Sequence, residues 1–323
     1  MLDLNHILVP RDFSSTSDRA LQYALDWARR TGATLHVVHA KVLHQNIDQE
    51  TVEAERGTMK QLREQLRHVQ GNDMSKGAVD LKEAVVRDVA AAPAILEYTE
   101  DHDIDLIVMG THGRRGMRRM IMGSVAEEVV RYAACPVLTV RGEPVDMADA
   151  PDPIQTIGVP VDFSTHSREA LLHAAAVADL LDADLFVHHV LEDTLHPAFY
   201  VGGVQSVHDI DPDIETKALA KLDRFVEEAL QVPAYKDIVV RTRVDVGSAA
   251  RLISKVAKEE DVDLVAMATH GRTGGTTFRL GSVTEKVVRH TRCPVLTVKV
   301  HGRSLLATEE AAADASAADA STP

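Results

Sequence analysis

At 323 residues, 45% of them hydrophobic and 26% charged, the chain holds enough material for two domains of ordinary size, each able to bury its own core. A formal net charge of −14 argues against general affinity for nucleic acid or anionic membrane, since both need a basic face. No run of ~18 apolar residues is available to span a bilayer. The amino terminus enters a strand pattern without a signal-peptide core, so the cytoplasm is the expected compartment.

In chain order, apolar runs alternate with helical patterns. Strands are predicted at His6–Pro10, Thr34–Ala40, Asp80–Val86, Leu106–Met109 and Val137–Val140. Helices are predicted near Ser17–Thr31, Asp48–Gln70, Ala91–Asp101 and Ser124–Ala133. The strands are rich in Val, Ile and Leu with little alternation, as expected of parallel strands covered on both faces. Ala20, Leu21, Ala24 and Leu25 give the first helix a buried stripe. A second set of strands follows near Thr156–Pro160, Asp184–Val190, Ile238–Val244, Leu264–Met267 and Val295–Val298. This is the pattern of an α/β fold with a parallel sheet and helices on both faces, made twice.

The duplication is explicit in the residues. Ile7–Ser14 (ILVPRDFS) returns as Ile157–Ser164 (IGVPVDFS), and Gly110–Val140 returns as Ala268–Val298. The offset between copies grows from 150 at Asp12 and Asp162 to 158 at Gly113 and Gly271, so the second copy carries eight extra residues. The stretch His196–Asp213, punctuated by Pro and Gly, is the expected site of that insertion as a surface loop. Domain 1 is expected over 1–142, a Pro- and Asp-rich linker over 143–153, domain 2 over 154–301, and a disordered acidic, Ala-rich tail over 302–323. Cys135 and Cys293 occupy equivalent places before a Pro and suit small buried positions better than a disulfide. The last strand of each repeat, Val137–Val140 and Val295–Val298, is an apolar edge that would pair the repeats as an intramolecular pseudo-dimer.

In open parallel sheets, ligands bind beyond the carboxyl ends of the strands where the strand order reverses. Pro10-Arg11-Asp12 and Pro160-Val161-Asp162 follow the first strands, Ala40 and Val190 end the second, and a glycine-rich loop follows the fourth. That loop has the form G-x2-G-x9-G-S: Gly110, Gly113, Gly123 and Ser124 in the first repeat. Glycines free the backbone and remove the Cβ that would hold a phosphate off, and Gly123-Ser124 opens a helix whose amides and dipole favour an anion. The chain has no Walker A element, and a dinucleotide fingerprint would follow the first strand instead of the fourth. Phosphate binding is therefore the chemistry the loop fits.

Together, VPRDFS and VPVDFS, LHVVHA and LFVHHV, and the two glycine loops ending in CPVLTV make the chain resemble a tandem universal stress protein over residues 1–300. The resemblance implies two Rossmann-like domains of the adenine nucleotide alpha hydrolase-like kind, each with a five-stranded parallel sheet. It also implies binding of an adenine nucleotide, ATP first among them, with or without magnesium. Under that resemblance Asp12 lies beside the adenosine or its phosphates, Pro10 shapes the pocket wall, and Ala40 offers its backbone to adenine. Met109 and Gly110 line the ribose, while Gly113, Gly123, Ser124 and Val125 contact phosphate. The second set is Pro160, Asp162, Val190, Met267, Gly271, Gly281, Ser282 and Val283. The alternative role for Asp12 is a cap on the following helix, and both roles are compatible.

Repeat 2 departs at Ala268, which puts a methyl where the motif has glycine, and Arg115, Arg118 and Arg119 become Thr273, Thr276 and Thr277. Arg114 is matched by Arg272, and the second loop adds Arg279. Domain 1 is therefore expected to hold the principal site. His36 and His39 alternate across a strand and do not share a face for a metal. His112 and His270 lie in the loops, where they would either hydrogen-bond phosphate or fix the turn. Three functions fit: a nucleotide-binding stress-response regulator, which the resemblance favours; a slow ATP hydrolase; and a scaffold whose paired domains, or a homodimer of the chain, bind an unidentified protein partner.

Overall fold

The computed structural model describes residues 2–42, 60, 79–111, 122–141, 151–192, 206–231, 235–271 and 280–307. The expected helix at Asp48–Gln70 and the loop residues Gly113, 114–121 and 272–279 lie outside them, apart from Lys60.

The first unit contains β1 (His6–Pro10), α1 (Ser15–Thr31), β2 (Thr34–Val42), β3 (Leu81–Asp88), α2 (Ala91–Asp101), β4 (Leu106–Gly110), α3 (Ser124–Tyr132) and β5 (Val137–Val140). Its strands run in the order β3-β2-β1-β4-β5, each pair parallel. Parallel neighbours need long crossovers, and α1, α2 and α3 supply them. The Ser14 hydroxyl accepts the Ser17 amide to start α1, and Gly32 at φ 77° ends it by donating its amide to the Ala28 carbonyl. Ala20, Leu21, Ala24 and Leu25 are buried along the face of α1 that packs on β1 and β4. Trp27, Ile7, Leu8, Leu35 and Leu106 complete that core.

The second unit repeats the plan with β6 (Thr156–Val161), α4 (Thr165–Leu181), β7 (Asp184–Leu191), α5 (Val207–Ile210), α6 (Ile214–Ala229), β8 (Val240–Val246), α7 (Ala249–Glu259), β9 (Leu264–Ala268), α8 (Ser282–His290) and β10 (Val295–Val298). Its order is β8-β7-β6-β9-β10, again all parallel. Ser164 caps α4 as Ser14 caps α1, and Asp182 at φ 56° takes the left-handed place of Gly32. In both units a carboxylate at the start of the fourth strand ties down the start of the first. Asp105 accepts from the amides of Asn5 and His6, and Asp263 from those of Gln155 and Thr156, all at 2.9 Å.

Three sequence expectations need adjustment. The insertion is not all loop: its described part holds α5, started where the Asp209 carboxylate accepts the Ser206 amide at 2.8 Å. Strand β8 lies two residues later than expected, because its mixed burial gives a weak apolar pattern. Residues 302–307, expected in the tail, are placed in the structure. His301–Leu305 belongs to the first unit, where the Arg303 amide donates to the Ala134 carbonyl at 2.7 Å and Leu305 is fully buried. Leu2 and Leu306 bridge each other and belong to the second unit. Among the described residues, no helix is long and apolar enough to cross a membrane.

Candidate functional site

The strand order reverses at β1 and β4 in the first unit, and at β6 and β9 in the second. Beyond the carboxyl end of β1 the chain makes a tight turn in which Phe13 takes a left-handed φ of 62°, and Phe163 repeats it at 64°. A bulky residue adopts that conformation only where its surroundings hold it there. Two contacts do so in each unit. The Asp12 Oδ1 accepts from the Ser14 amide at 3.0 Å and from the Ser14 hydroxyl at 2.6 Å; Asp162 and Ser164 repeat both bonds at 3.1 and 2.5 Å. His39 Nδ1–H donates to the Arg11 carbonyl at 2.6 Å, and His189 to that of Val161 at 2.8 Å, each imidazole packing against its Phe ring. The helix cap is therefore Ser14 and not Asp12, whose role is to orient the cap. His36 packs against α2 while His39 packs on this turn, as their alternation requires.

The glycines of the loop have separate steric jobs. Gly123 donates its amide to the Thr111 carbonyl at 2.7 Å, and Gly281 to that of Thr269 at 2.8 Å, closing the neck of each loop. A Cβ at these positions would meet the same carbonyls at 3.2 and 2.9 Å. At Gly271 a Cβ would come within 2.5 Å of Asp162 Oδ2, so this glycine lets the loop reach the carboxylate that follows β6. Its counterpart Gly113 lies outside the described residues. Gly110 differs: its Cβ would strike the Thr16 backbone and side chain at 2.9–3.0 Å, so it governs how closely α1 docks on β4. The methyl of Ala268 accordingly corresponds to a position facing the first turn of α4, where His166 replaces Thr16, and not to the phosphate side of the loop. Ala268 therefore gives no steric ground for a weaker second site, and the two loops still differ in charge.

The structure brings the sequence-identified residues together in each unit. Pro10, Asp12, Ala40, Gly110, Gly123 and Val125 are half-buried at one end of the first sheet, Ser124 is exposed at the start of α3, and Met109 is buried beneath. Pro160, Asp162, Val190, Gly271, Gly281 and Val283 repeat the half-buried set, with Ser282 exposed and Met267 buried. Two helix starts, α3 and α8, present their first amides here with no side-chain cap at Gly123 or Gly281.

Sequence reasoning missed several neighbours of the site. Arg11 is 2% exposed and pairs with Asp18 in α1; the second unit has Val161 and Arg168 at those places. Thr284 donates to the Ala268 carbonyl at 2.8 Å, where the first unit has Ala126. Phe13 and His39 were visible only as a pair repeated at the same offset as Asp12. Cys135 is buried, and burial pushes the Cys293 thiol up to about 12, which leaves it without thiolate character near neutral pH. Among the described residues no group of three or more His, Cys, Asp or Glu is placed to hold a metal ion.

Comparison with known proteins agrees with this architecture. A universal stress protein from Mycolicibacterium smegmatis is 29% identical over 194 residues, 60% of this chain and 61% of that protein, so the chain spans about three fifths of that relative. Universal stress protein MJ0577 of Methanocaldococcus jannaschii is 32% identical over 153 residues, 43% of this chain and 91% of that protein. Among solved structures, a universal stress protein from Archaeoglobus fulgidus superposes with a TM-score of 0.63 at 22% identity, covering 93% of this chain and 97% of that one. A Pseudomonas aeruginosa structure described as a putative universal stress protein gives 0.61 at 18% identity, covering 92% and 93%. The profile of the Universal stress protein family matches residues 4–141 and again 153–299. With the fold, the repeated Asp-Phe-Ser turn and the doubled glycine loop in agreement, the chain belongs to the universal stress protein family, of which it carries two domains in tandem.

Proposed function

We propose that the chain binds an adenine nucleotide, ATP being the first candidate, at the carboxyl end of the domain 1 sheet, and that it works as a stress-response regulator read through nucleotide occupancy. The observation that carries this reading is the closed loop neck at Gly123 and Thr111. It holds the start of α3 at the end of β4, whose neighbour β1 leads into the Asp12–Ser14 turn, at the point where strand order reverses. Amides at the start of α3 suit phosphate, and the half-buried wall of Pro10 and Ala40 suits a flat base. Arg114, Arg115, Arg118 and Arg119 in the loop favour domain 1 as the principal site, since guanidinium groups clamp phosphate. Domain 2 offers the same geometry with fewer positive charges, and the two domains act as an intramolecular pair.

The proposed site binds and does not turn over at enzymatic rates. ATP hydrolysis should fall far below the ~1–100 s⁻¹ of kinases. Native mass spectrometry of freshly purified protein reads ligand mass and number per chain directly. A bound adenine nucleotide supports the reading. Protein that stays ligand-free after incubation with ATP, ADP and AMP contradicts it, as does a magnesium-dependent turnover in the kinase range that Asp12→Ala abolishes with binding intact.

A further inference from the structure

The end of the domain 1 sheet opposite the nucleotide site holds a cluster of titratable groups that nucleotide binding does not use. His6 opens β1, His36 is the third residue of β2, and Tyr98 and His102 lie at the end of α2. His36 is fully buried. Its Nδ1 is 3.0 Å from the Tyr98 hydroxyl and its Nε2 is 3.3 Å from His6 Nδ1. The His102 ring stacks on Tyr98 at 3.8 Å, and its Nδ1–H donates to the Tyr98 carbonyl at 3.1 Å. A neutral imidazole serves this chain well: Tyr98 donates to His36 Nδ1 and His36 Nε2–H donates to His6 Nδ1. A protonated His36 donates from both nitrogens, which turns the Tyr98 hydroxyl from donor to acceptor, and the charge itself sits fully buried with no carboxylate bonded to it among the described residues.

The charges around His36 oppose protonation. His6 faces it from β1, Lys82 is its register partner on β3, and His102 faces it from the end of α2. The acid in this set is Asp80, whose carboxylate also accepts from the Thr34 hydroxyl at 3.0 Å. Burial first, then Lys82, His6 and His102, lower the His36 pKa to about 4, with Asp80 acting the other way.

Domain 2 resolves the same place differently. His6, His36, Tyr98 and His102 become Thr156, Phe186, Val256 and Glu260, and the register partner of Phe186 is Arg241. That guanidinium lies over the Phe186 ring at 5.3 Å and pairs with Glu260 at 3.0 Å. Of the buried histidines of domain 2, His188 contacts Asp245 at 2.8 Å and Glu169 faces His173, although burial lowers both, while His189 bonds the Val161 carbonyl. His188 thus has a carboxylate in direct contact, whereas His36 is bonded to Tyr98 and His6 and has Lys82 as its register partner.

We propose that the His6–His36–Tyr98–His102 cluster is an acid switch that opens domain 1 on acidification. Above the unfolded value of 6.5, His36 is neutral in both states and the cluster is intact. As pH falls from 6.5 towards 4, the unfolded chain takes up a proton that the folded domain refuses, so stability is lost across that window and levels off below it. The switch requires no ligand and stands apart from nucleotide binding.

Hydrogen exchange read by mass spectrometry on the full chain between pH 7.5 and 4.5, corrected for intrinsic exchange, tests this directly. The opening equilibrium of peptides from β2, β3 and α2 should rise about fortyfold from pH 6.5 to 4.5. His36→Gln should remove most of the domain 1 rise. Because a buried substitution can unfold the domain, His102→Glu provides a second variant at the helix end. By copying Glu260 it should shrink the rise at least about tenfold. In the unaltered protein, the His36 ring signal in NMR should titrate far below that of an exposed histidine. A domain 1 rise that persists in His36→Gln, an unchanged slope in His102→Glu, or a His36 midpoint near 6.5 would each overturn the proposal.

Discussion

Domains 1 and 2 share a set of contacts that has survived duplication, and around it they diverge. The Asp–Ser turn with its left-handed Phe, the imidazole bonded to the turn carbonyl, and the glycine amide closing the loop neck recur at matching distances. The side chains packed around these contacts do not recur: Arg11 and Asp18 become Val161 and Arg168, Thr16 becomes His166, Gly110 becomes Ala268, and Ala126 becomes Thr284. The shared contacts define the shape of a site. The divergent ones set the tension of the helix beside it and the charge it presents. A function carried by the shape belongs to both domains, whereas affinity and regulation can differ between them.

The largest break in this comparison should come from the buried ion pair. Asp18→Ala removes a carboxylate that pairs with the buried Arg11 guanidinium and should destabilise domain 1 by roughly 3 kcal/mol. Arg168→Ala, at the equivalent exposed place in domain 2, should change stability by less than about 0.5 kcal/mol. Chemical denaturation, with exchange resolving the two domains, separates these outcomes.

Gly110→Ala comes next. Its methyl would press on the Thr16 backbone, which no rotamer can relieve, at a cost of ~1–3 kcal/mol to domain 1. Adding Thr16→Ala should recover only part of that loss. The reverse change, Ala268→Gly, should cost domain 2 no more than about 1 kcal/mol, through chain entropy alone. Equal effects of the two changes would show that Gly110 has no special docking role.

The smallest effects should come from the caps. Ser14→Ala and Ser164→Ala each remove a helix cap worth about 1 kcal/mol, and the shared geometry demands that the two losses agree. Thermal melts of the single variants and the double variant check both magnitude and additivity. A loss in one domain without the other would mean that the turn is held differently in each.

Much of this was legible from residues alone because parallel strands buried on both faces write continuous apolar runs, as in β1 and β4. The duplication then fixed which loops matter. Strand β8 was harder, since Val240–Val246 is half-buried along most of its length and Arg, Thr and Asp interrupt its apolar run. Asp12 and Ser14 are both good capping residues two positions apart, and only the turn geometry distinguishes orienter from cap. The role of Gly110 depends on the approach of α1, which no local pattern records. His36 and Tyr98 meet across 62 positions of chain, so their cluster could not be read from spacing. Helix α5, by contrast, announces itself through Ser206 and Asp209, an S-x-x-D start that the Gly and Pro content around it obscured.

Two things are proposed of the closed loop necks: that they make the nucleotide site, and that the one in domain 1 is the tighter. Calorimetric titration of ATP into Gly123→Val and Gly281→Val tests both parts at once, because each valine is driven against the carbonyl that closes its neck. Gly123→Val should weaken the tightest binding by at least roughly a hundredfold, about 3 kcal/mol, while Gly281→Val leaves it within about threefold. Loss of the tight site in Gly281→Val with full binding in Gly123→Val, or unchanged binding in both, would contradict the account.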